Sequence, residues 1–331
     1  MTHKAALLGI ALLSCNSVPL AFCASPILHV GTGQPYTHIQ DALDAAPENA
    51  TILIAPGLYH EVLHISTPGL QVQGEGRTPA DVRIESSQSA DQTGGTSRSA
   101  TVFAEADGIT LRNLTIANHF HDDHPDITQG AQAVALSATG DRQFFLSLHL
   151  ISYQDTLFAG SHGCNLHGSC NPARQYYQDD VIDGAVDFIF GDARAYFEHC
   201  TLHGVARPTV TITAQGRTFP EHLSGYVFHN CSIQADPAVQ HISLGRPWRD
   251  YASVAYIDCT LDPRVVPSGF TEWQGQSRLT TAHYLIASLT NPQPNTHWEE
   301  PYLLHLPLED LTKLAEPKAF FSDDPPLSGA F

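Results

Sequence analysis

Two carboxylates stand where nucleophilic or acid–base chemistry could be done. Asp187 sits in DFIFG (187–191), an ionisable group in an aromatic run that must be buried on at least one side. Asp155 lies 32 positions earlier, in YQDTL (153–157). On adjacent strands of one repeating layer the two would stand about 5 Å apart. Carboxylates that close do not both ionise at their ordinary pKa; one is pushed up and can act as an acid while the other stays anionic. At strand period, Phe188 and Phe190 face one way into a core, and Asp187 and Ile189 face the other way, toward a cleft. A lone Asp in a strand would more simply be a paired structural carboxylate, and the partner is what favours chemistry. Gln132 and Gln154, 22 positions apart, are expected on the same face, and Arg246 and Trp248 come from a later segment.

A repeating frame has to hold such a pair, and the chain contains one. An apolar segment recurs as LRNLTIAN from Leu111, FLSLHLIS from Phe145, YQDDVIDG from Tyr177, FEHCTLHG from Phe197, FHNCSIQA from Phe228 and YIDCTLDP from Tyr256. Each opens on an aromatic residue or Leu, passes two polar residues and turns apolar, with Leu114, Leu148, Val181, Cys200, Cys231 and Cys259 read as equivalent slots. Gaps of 34, 33, 19, 31 and 28 residues are irregular for helical repeats but natural for strand coils with loops of varying length. Short β-rich runs separated by Gly, Pro and Asn agree. The spacing predicts an all-β protein, a parallel β-helix, with the cysteines stacked inward as small hydrophobes. An amphipathic helix over 37–46, with Ile39, Leu43 and Ala46 on one face, would cap the front. The Pro-rich tail from Asn291, with a short helix over 308–314, would cover the other end.

A hydrophobic share of 42% with 15% charged residues is that of a globular chain. Residues 25–331 read as one elongated domain. Residues 1–24, with Lys4, an apolar run over 5–13 and small residues up to Ala24, read as a secretory signal peptide, which places the protein in the periplasm or outside the cell. A degenerate lipobox at Leu12, Leu13, Ser14 and Cys15 gives the alternative of a lipid-anchored envelope protein. No other stretch is apolar enough to cross a membrane. The net charge of −18 excludes nucleic acid as a natural partner. The 19 histidines would bring −18 to +1 if all were protonated, which suits an acidic environment. Cys164 and Cys170 lie in one polar loop and are expected to form a small disulfide. Their spacing with His162 and His167 matches no common zinc pattern, and no metal or cofactor is expected.

The blocks GLYHE (57–61), GEGRT (74–78), QAVAL (132–136), YQDTL, DFIFG, LGRPW (244–248) and GFTEW (269–273) cover nearly the whole mature chain. In this order they resemble the pectin methylesterases (pectinesterases), carbohydrate esterases on a right-handed parallel β-helix. The resemblance implies a cofactor-free carboxylic ester hydrolase. It would act as a monomer with water on methyl-esterified pectin (homogalacturonan), in pectin catabolism and cell wall modification. It further implies that Asp187 is the nucleophile, that Asp155 is the acid and then the base, and that Gln132 and Gln154 hold the oxyanion. Arg246 would keep Asp187 ionised and aimed, and Trp248 would offer a face to a sugar ring. Tyr153 and Phe158, beside Asp155, are substrate platforms or sheet packing, and Trp273 is packing or cleft wall. Tyr59 and Glu61 read as structural.

Two departures from the family pattern concern the surroundings of the cleft: a Cys-bearing insertion over 160–172, and His283 where an acidic residue is usual. Other readings on the same solenoid are a non-pectin acyl esterase, a silent glycan-binding envelope protein, and a polygalacturonase or pectate lyase. A lyase would carry a calcium-binding carboxylate cluster, and an inverting hydrolase needs carboxylates about 6.5–9.5 Å apart. Neither pattern is evident.

Overall fold

The computed structural model describes residues 25–162, 172–205, 207–290 and 302–322. Residues 1–24, on which the signal peptide and Cys15 readings fall, and both Cys164 and Cys170 lie outside the described residues. Three sheets run side by side along one axis, and every ladder between their strands is parallel. Sheet I has ten strands, from Ile27–Val30 to His283–Ala287. Sheet II has seven, from Gly57–Tyr59 to Ser232–Ala235, and sheet III has seven, from Leu63–Ile65 to His241–Gly245. A coil passes from sheet I to II to III and returns, as in Gln143–Leu146, His149–Ile151 and Leu157–Ala159, followed by Arg174–Gln178. The molecule is a parallel β-helix.

The recurring segment marks the corner between sheets I and II. Its third residue, Asn113, Ser147, Asp179, His199, Asn230 or Asp258, takes a left-handed φ of 51–56°. Short polar side chains tolerate that region better than β-branched ones, which explains the two polar positions of the repeat. Its first residue fills the interior. Phe145, Tyr177, Phe197, Phe228 and Tyr256 stack ring on ring with centroids 4.4–4.7 Å apart. Aromatic stacking at the strand spacing adds to the burial of each ring.

Register corrects one slot. Phe145 pairs with Tyr177 and His149 with Val181, so Asp180, not Val181, lies in the slot after Leu148. The slot continues through Cys200, Cys231 and Cys259, whose free thiols donate to the carbonyls of Tyr177, Phe197 and Phe228 on the preceding coil. Asp180 is therefore a carboxyl inside the solenoid, 1% exposed. Its Oδ1 accepts the Leu148 N–H at 2.6 Å and its Oδ2 has no partner. Burial raises it well above the usual carboxylate range.

At the front, helix Ile39–Ala45 buries Ile39, Ala42 and Leu43. The Glu61 carboxylate accepts the N–H groups of Ile39 and Gln40 at the start of this helix (3.0 and 3.1 Å), and the Tyr59 hydroxyl donates to the Ala55 carbonyl. Both residues of GLYHE thus hold structure. At the back, Leu303 extends the ladder beyond Tyr284. The chain then turns along the flank: Leu311 and Leu314 of helix Leu308–Leu314, with Ala315 and Phe320, pack on Tyr196, Val227, Ala255, Ile257 and Leu285. The tail covers the outer face of sheet I as well as its end.

Candidate active site

Asp155 and Asp187 occupy the corner between sheets II and III on consecutive coils. Gln154 bridges Val186, the Asp155 N–H donates to the Val186 carbonyl at 3.0 Å, and the Leu157 N–H donates to the Phe188 carbonyl at 2.8 Å. Equal register across 32 residues stacks the two carboxylates about one strand spacing apart. Both residues have left-handed φ, 65° for Asp155 and 48° for Asp187. Such a bend is uncommon for a non-glycine residue and turns each side chain off the strand path into the cleft.

The bend overturns the strand alternation expected for DFIFG. The strand begins only at Ile189, after the corner. Phe188 and Ile189 both fill the interior, whereas Phe190 joins Asp187 on the cleft side. Phe188 fits because Gly184 opposite has no side chain; a Cβ there would stand 2.2 Å from the Phe188 Cβ.

A cleft of about 560 Å³ lies over sheet III, lined among others by Gln132, Gln154, Asp155, Phe158, Asp187, Arg246, Trp248 and Trp273. Of the residues expected at the site, Tyr153 does not line it. Its ring stacks on His121 at 3.6 Å, beyond the rim. Gln132 and Gln154 lie on neighbouring coils, since the Ala133 N–H donates to the Gln154 carbonyl. Arg246 follows the last strand of sheet III and grips Asp187 with a fork, Nε to Oδ1 at 2.8 Å and Nη2 to Oδ2 at 2.6 Å. It comes from two coils further on and reaches across Ala214, the small residue paired with Phe190.

The two carboxyls differ electrostatically. Asp155 is raised well above the ordinary range by burial and by the Asp187 charge, with Arg246 opposing. Burial also raises Asp187, but the hydrogen bonds and charge of Arg246 pull against it. Asp155 is thus the better proton carrier and Asp187 the better anion.

Sequence reasoning named Trp273, Trp248 and Phe158 for the cleft but missed Phe190, Arg249 and Arg278 as their supports. Trp273 both lines the cleft and stacks under the Arg246 guanidinium, 4.4 Å from its carbon. Phe190 meets Phe158 at 4.9 Å and the edge of Trp248 at 6.2 Å, so three rings form the floor. Arg249 lies over Trp248 at 4.3 Å, and Arg278 donates to the Trp248 carbonyl at 2.6 Å. Arg249 has a signal in RPWR (246–249), whereas Arg278 lies outside that block. Among the described residues, no group of three or more His, Cys, Asp or Glu is placed to hold a metal.

Comparison with known proteins agrees with this geometry. The family profile "Pectinesterase" matches residues 27–297. A probable pectinesterase/pectinesterase inhibitor 17 of Arabidopsis thaliana is 34% identical over 280 residues, 80% of this chain and 50% of that protein. A probable pectinesterase A of Aspergillus niger is 34% identical over 259 residues, 75% of this chain and 73% of that protein. The pectin methylesterase structure from Aspergillus niger in deglycosylated form superposes with a TM-score of 0.70 at 30% identity, covering 86% of this chain and 91% of the other. The chain spans about half the length of the plant relatives it matches. With its blocks in order on a parallel β-helix and its profile match over most of the sequence, the chain belongs to the pectinesterase family.

Proposed function

We propose that the protein hydrolyses the methyl esters of galacturonate units in pectin, giving pectate and methanol. The observation that carries the reading is the Arg246 fork on Asp187, with a more strongly raised Asp155 one coil away in the same cleft. The ionised Asp187 carboxylate attacks the ester carbonyl carbon, and the amides of Gln132 and Gln154 donate to the oxyanion that forms. Such donors are worth roughly 2.7–4 kcal/mol each in other hydrolases. The C–O bond to methoxide breaks as Asp155 delivers its proton, so methanol leaves and an acyl anhydride remains on Asp187. Asp155, now a carboxylate, takes a proton from water, whose oxygen attacks the anhydride; the galacturonate acid departs and Asp187 is again a carboxylate. Trp248, Phe158 and Trp273 supply faces for the sugar chain, and Tyr153 would touch only a substrate that extends past the rim.

The leader-like residues 1–24 support export, with residues 25–331 as the working domain; no helix among the described residues is long and apolar enough to cross a membrane. In an oxidising compartment Cys164 and Cys170 would pair.

The test is methanol release from highly methylated pectin by the wild type beside Asp187→Ala and Asp155→Ala. Methanol from the wild type and its loss in both variants is the expected result. Full activity in both would overturn the assignment. New reducing ends or unsaturated products without methanol would replace the reading with a chain-cleaving hydrolase or a lyase.

A further inference from the structure

Beside the cleft, three buried polar atoms have no hydrogen-bond partner: Arg217 Nη1, Ser253 Oγ and His283 Nδ1. They belong to one corner. The backbone N–H groups of Arg217 and Ser253 both donate to the Gln215 Oε1, at 3.0 and 2.9 Å, which fastens the two residues to a single oxygen. Ser253 and His283 are cross-strand partners in sheet I. Their neighbours Val254 and Tyr284 point into the interior, so Ser253 and His283 share the outer face. Along that face the row runs Arg194, Gly225, Ser253, His283. Its middle is small, and a Cβ on Gly225 would stand 3.1 Å from the Ser253 Oγ.

The charge in this corner is unbalanced. Arg217 is 2% exposed, and its Nε and Nη2 donate to the carbonyls of Phe219 and Pro220, which carry no counter-charge. Burial pushes its pKa down to about 10, with only the charge of Glu221 opposing. Burial and the Arg217 charge together lower His283. A buried guanidinium without a counterion is strongly unfavourable, and proteins resolve it by pairing. A guanidinium N–H and a hydroxyl, with an imidazole nitrogen beside them, make a polar corner of net positive charge. A water molecule would satisfy the hydrogen bonds and leave the charge uncompensated.

We propose that Arg217, Ser253 and His283 bind a chloride-sized monovalent anion that serves as the buried counterion of Arg217. The ion braces the cleft wall, because Arg217 stands between Gly216 and Thr218, which both line the cleft. Gly216 lies directly under Trp248, where a Cβ would come 2.9 Å from the indole.

The test reads stability and does not depend on the esterase assignment. The thermal midpoint of the full chain is measured in chloride and in gluconate at equal ionic strength. Chloride should raise it by roughly 2 °C or more if the site is largely filled. Crystals soaked in bromide should show an anomalous peak within hydrogen-bond reach of all three side chains. Ser253→Ala, which removes one donor and little volume, should cut the chloride-dependent shift at least by half, and Arg217→Met should abolish it. Equal midpoints in the two salts overturn the proposal, with or without a bromide peak, since a peak alone would mean binding at crystal concentration only. A chloride effect unchanged in Ser253→Ala would place the ion elsewhere and overturn it as well.

Discussion

Replacing Arg246 with Ala removes both donors from Asp187 and leaves a carboxylate 6% exposed beside a second buried carboxyl. Breaking one side of a buried, hydrogen-bonded ion pair costs about 3–5 kcal/mol. Taken up in the reacting geometry, at about 1.4 kcal/mol per decade, that is a loss of about 10²–10⁴-fold in kcat. The sign in pH follows from the same contact. Arg246 opposes the rise that burial imposes on Asp187, so without it the Asp187 pKa moves further up. A nucleophile that must be ionised then loses most at low pH, and the acid limb of the kcat profile shifts to higher pH. Arg246→Lys restores a charge without the fork and should recover only part of the loss. Methanol release across pH 4–8, with kcat and KM separated, is the assay, with the thermal midpoint as a check on folding. Because Arg246 also stacks on Trp273, a rise in KM alone would point to a wall effect. That outcome, or a kcat within tenfold of wild type on an unshifted acid limb, would refute the reasoning.

Ala214 lies under the reach of Arg246, and Ala214→Leu should lower kcat by at least about tenfold, the cost of about 1.4 kcal/mol of misplacement, with little change in the melting midpoint. Asp180 is raised by burial, so the wild type loses stability as pH rises above the unfolded value near 4. Asp180→Asn, which can keep the Leu148 bond, should therefore gain roughly 1–2 kcal/mol in urea unfolding at pH 7 and nothing below pH 4; equal stabilities at pH 7 would sink this. On the outer face of sheet II, Asp183 lies between His149 at 2.8 Å and His203 at 3.3 Å. Burial opposes its ionisation, but the two histidines outweigh burial and lower it, while the Asp183 hydrogen bond raises His203. The Asp183 contribution is present above about pH 4 and fades below it, and the His203 contribution is complete below about pH 6.5 and fades as pH rises through its raised value. His203→Gln should accordingly cost roughly 0.5–1 kcal/mol near pH 5 and less at pH 8, read from unfolding at both values.

The solenoid was legible because stacked coils demand equivalent residues at equivalent slots, and rings such as Phe197 and Phe228 declare the interior wherever they recur. The misassigned slot shows the limit of that signal. Val181 is the apolar residue of the two and displaces Asp180 in the sequence, yet register is set by backbone pairing, which admits a buried carboxyl where an aliphatic is expected. The stacking of Asp155 and Asp187 was legible because their spacing matches the repeat of that one coil. The facing of DFIFG was not, since a period of two holds only inside a strand and the left-handed residue at 187 resets the phase. Tyr153 failed for a related reason: two residues before a corner, adjacency to Asp155 in sequence does not carry over to the same surface. The stacking of Trp273 on Arg246 joins residues from separate loops and has no local trace in the chain.

The left-handed corners that carry Asp155 and Asp187 have a bearing on how this scaffold can be altered. The chain leaves sheet III at Ala159 and re-enters sheet I at Arg174, so the 160–172 segment is spliced in downstream of one corner and upstream of the next. Its length enters neither the pairing of Gln154 with Val186 nor the bend at either carboxylate. A segment of another length grafted there leaves the spacing of the two carboxylates as it is. Coil registry is thus the invariant of the scaffold, and the connection between coils is its free variable.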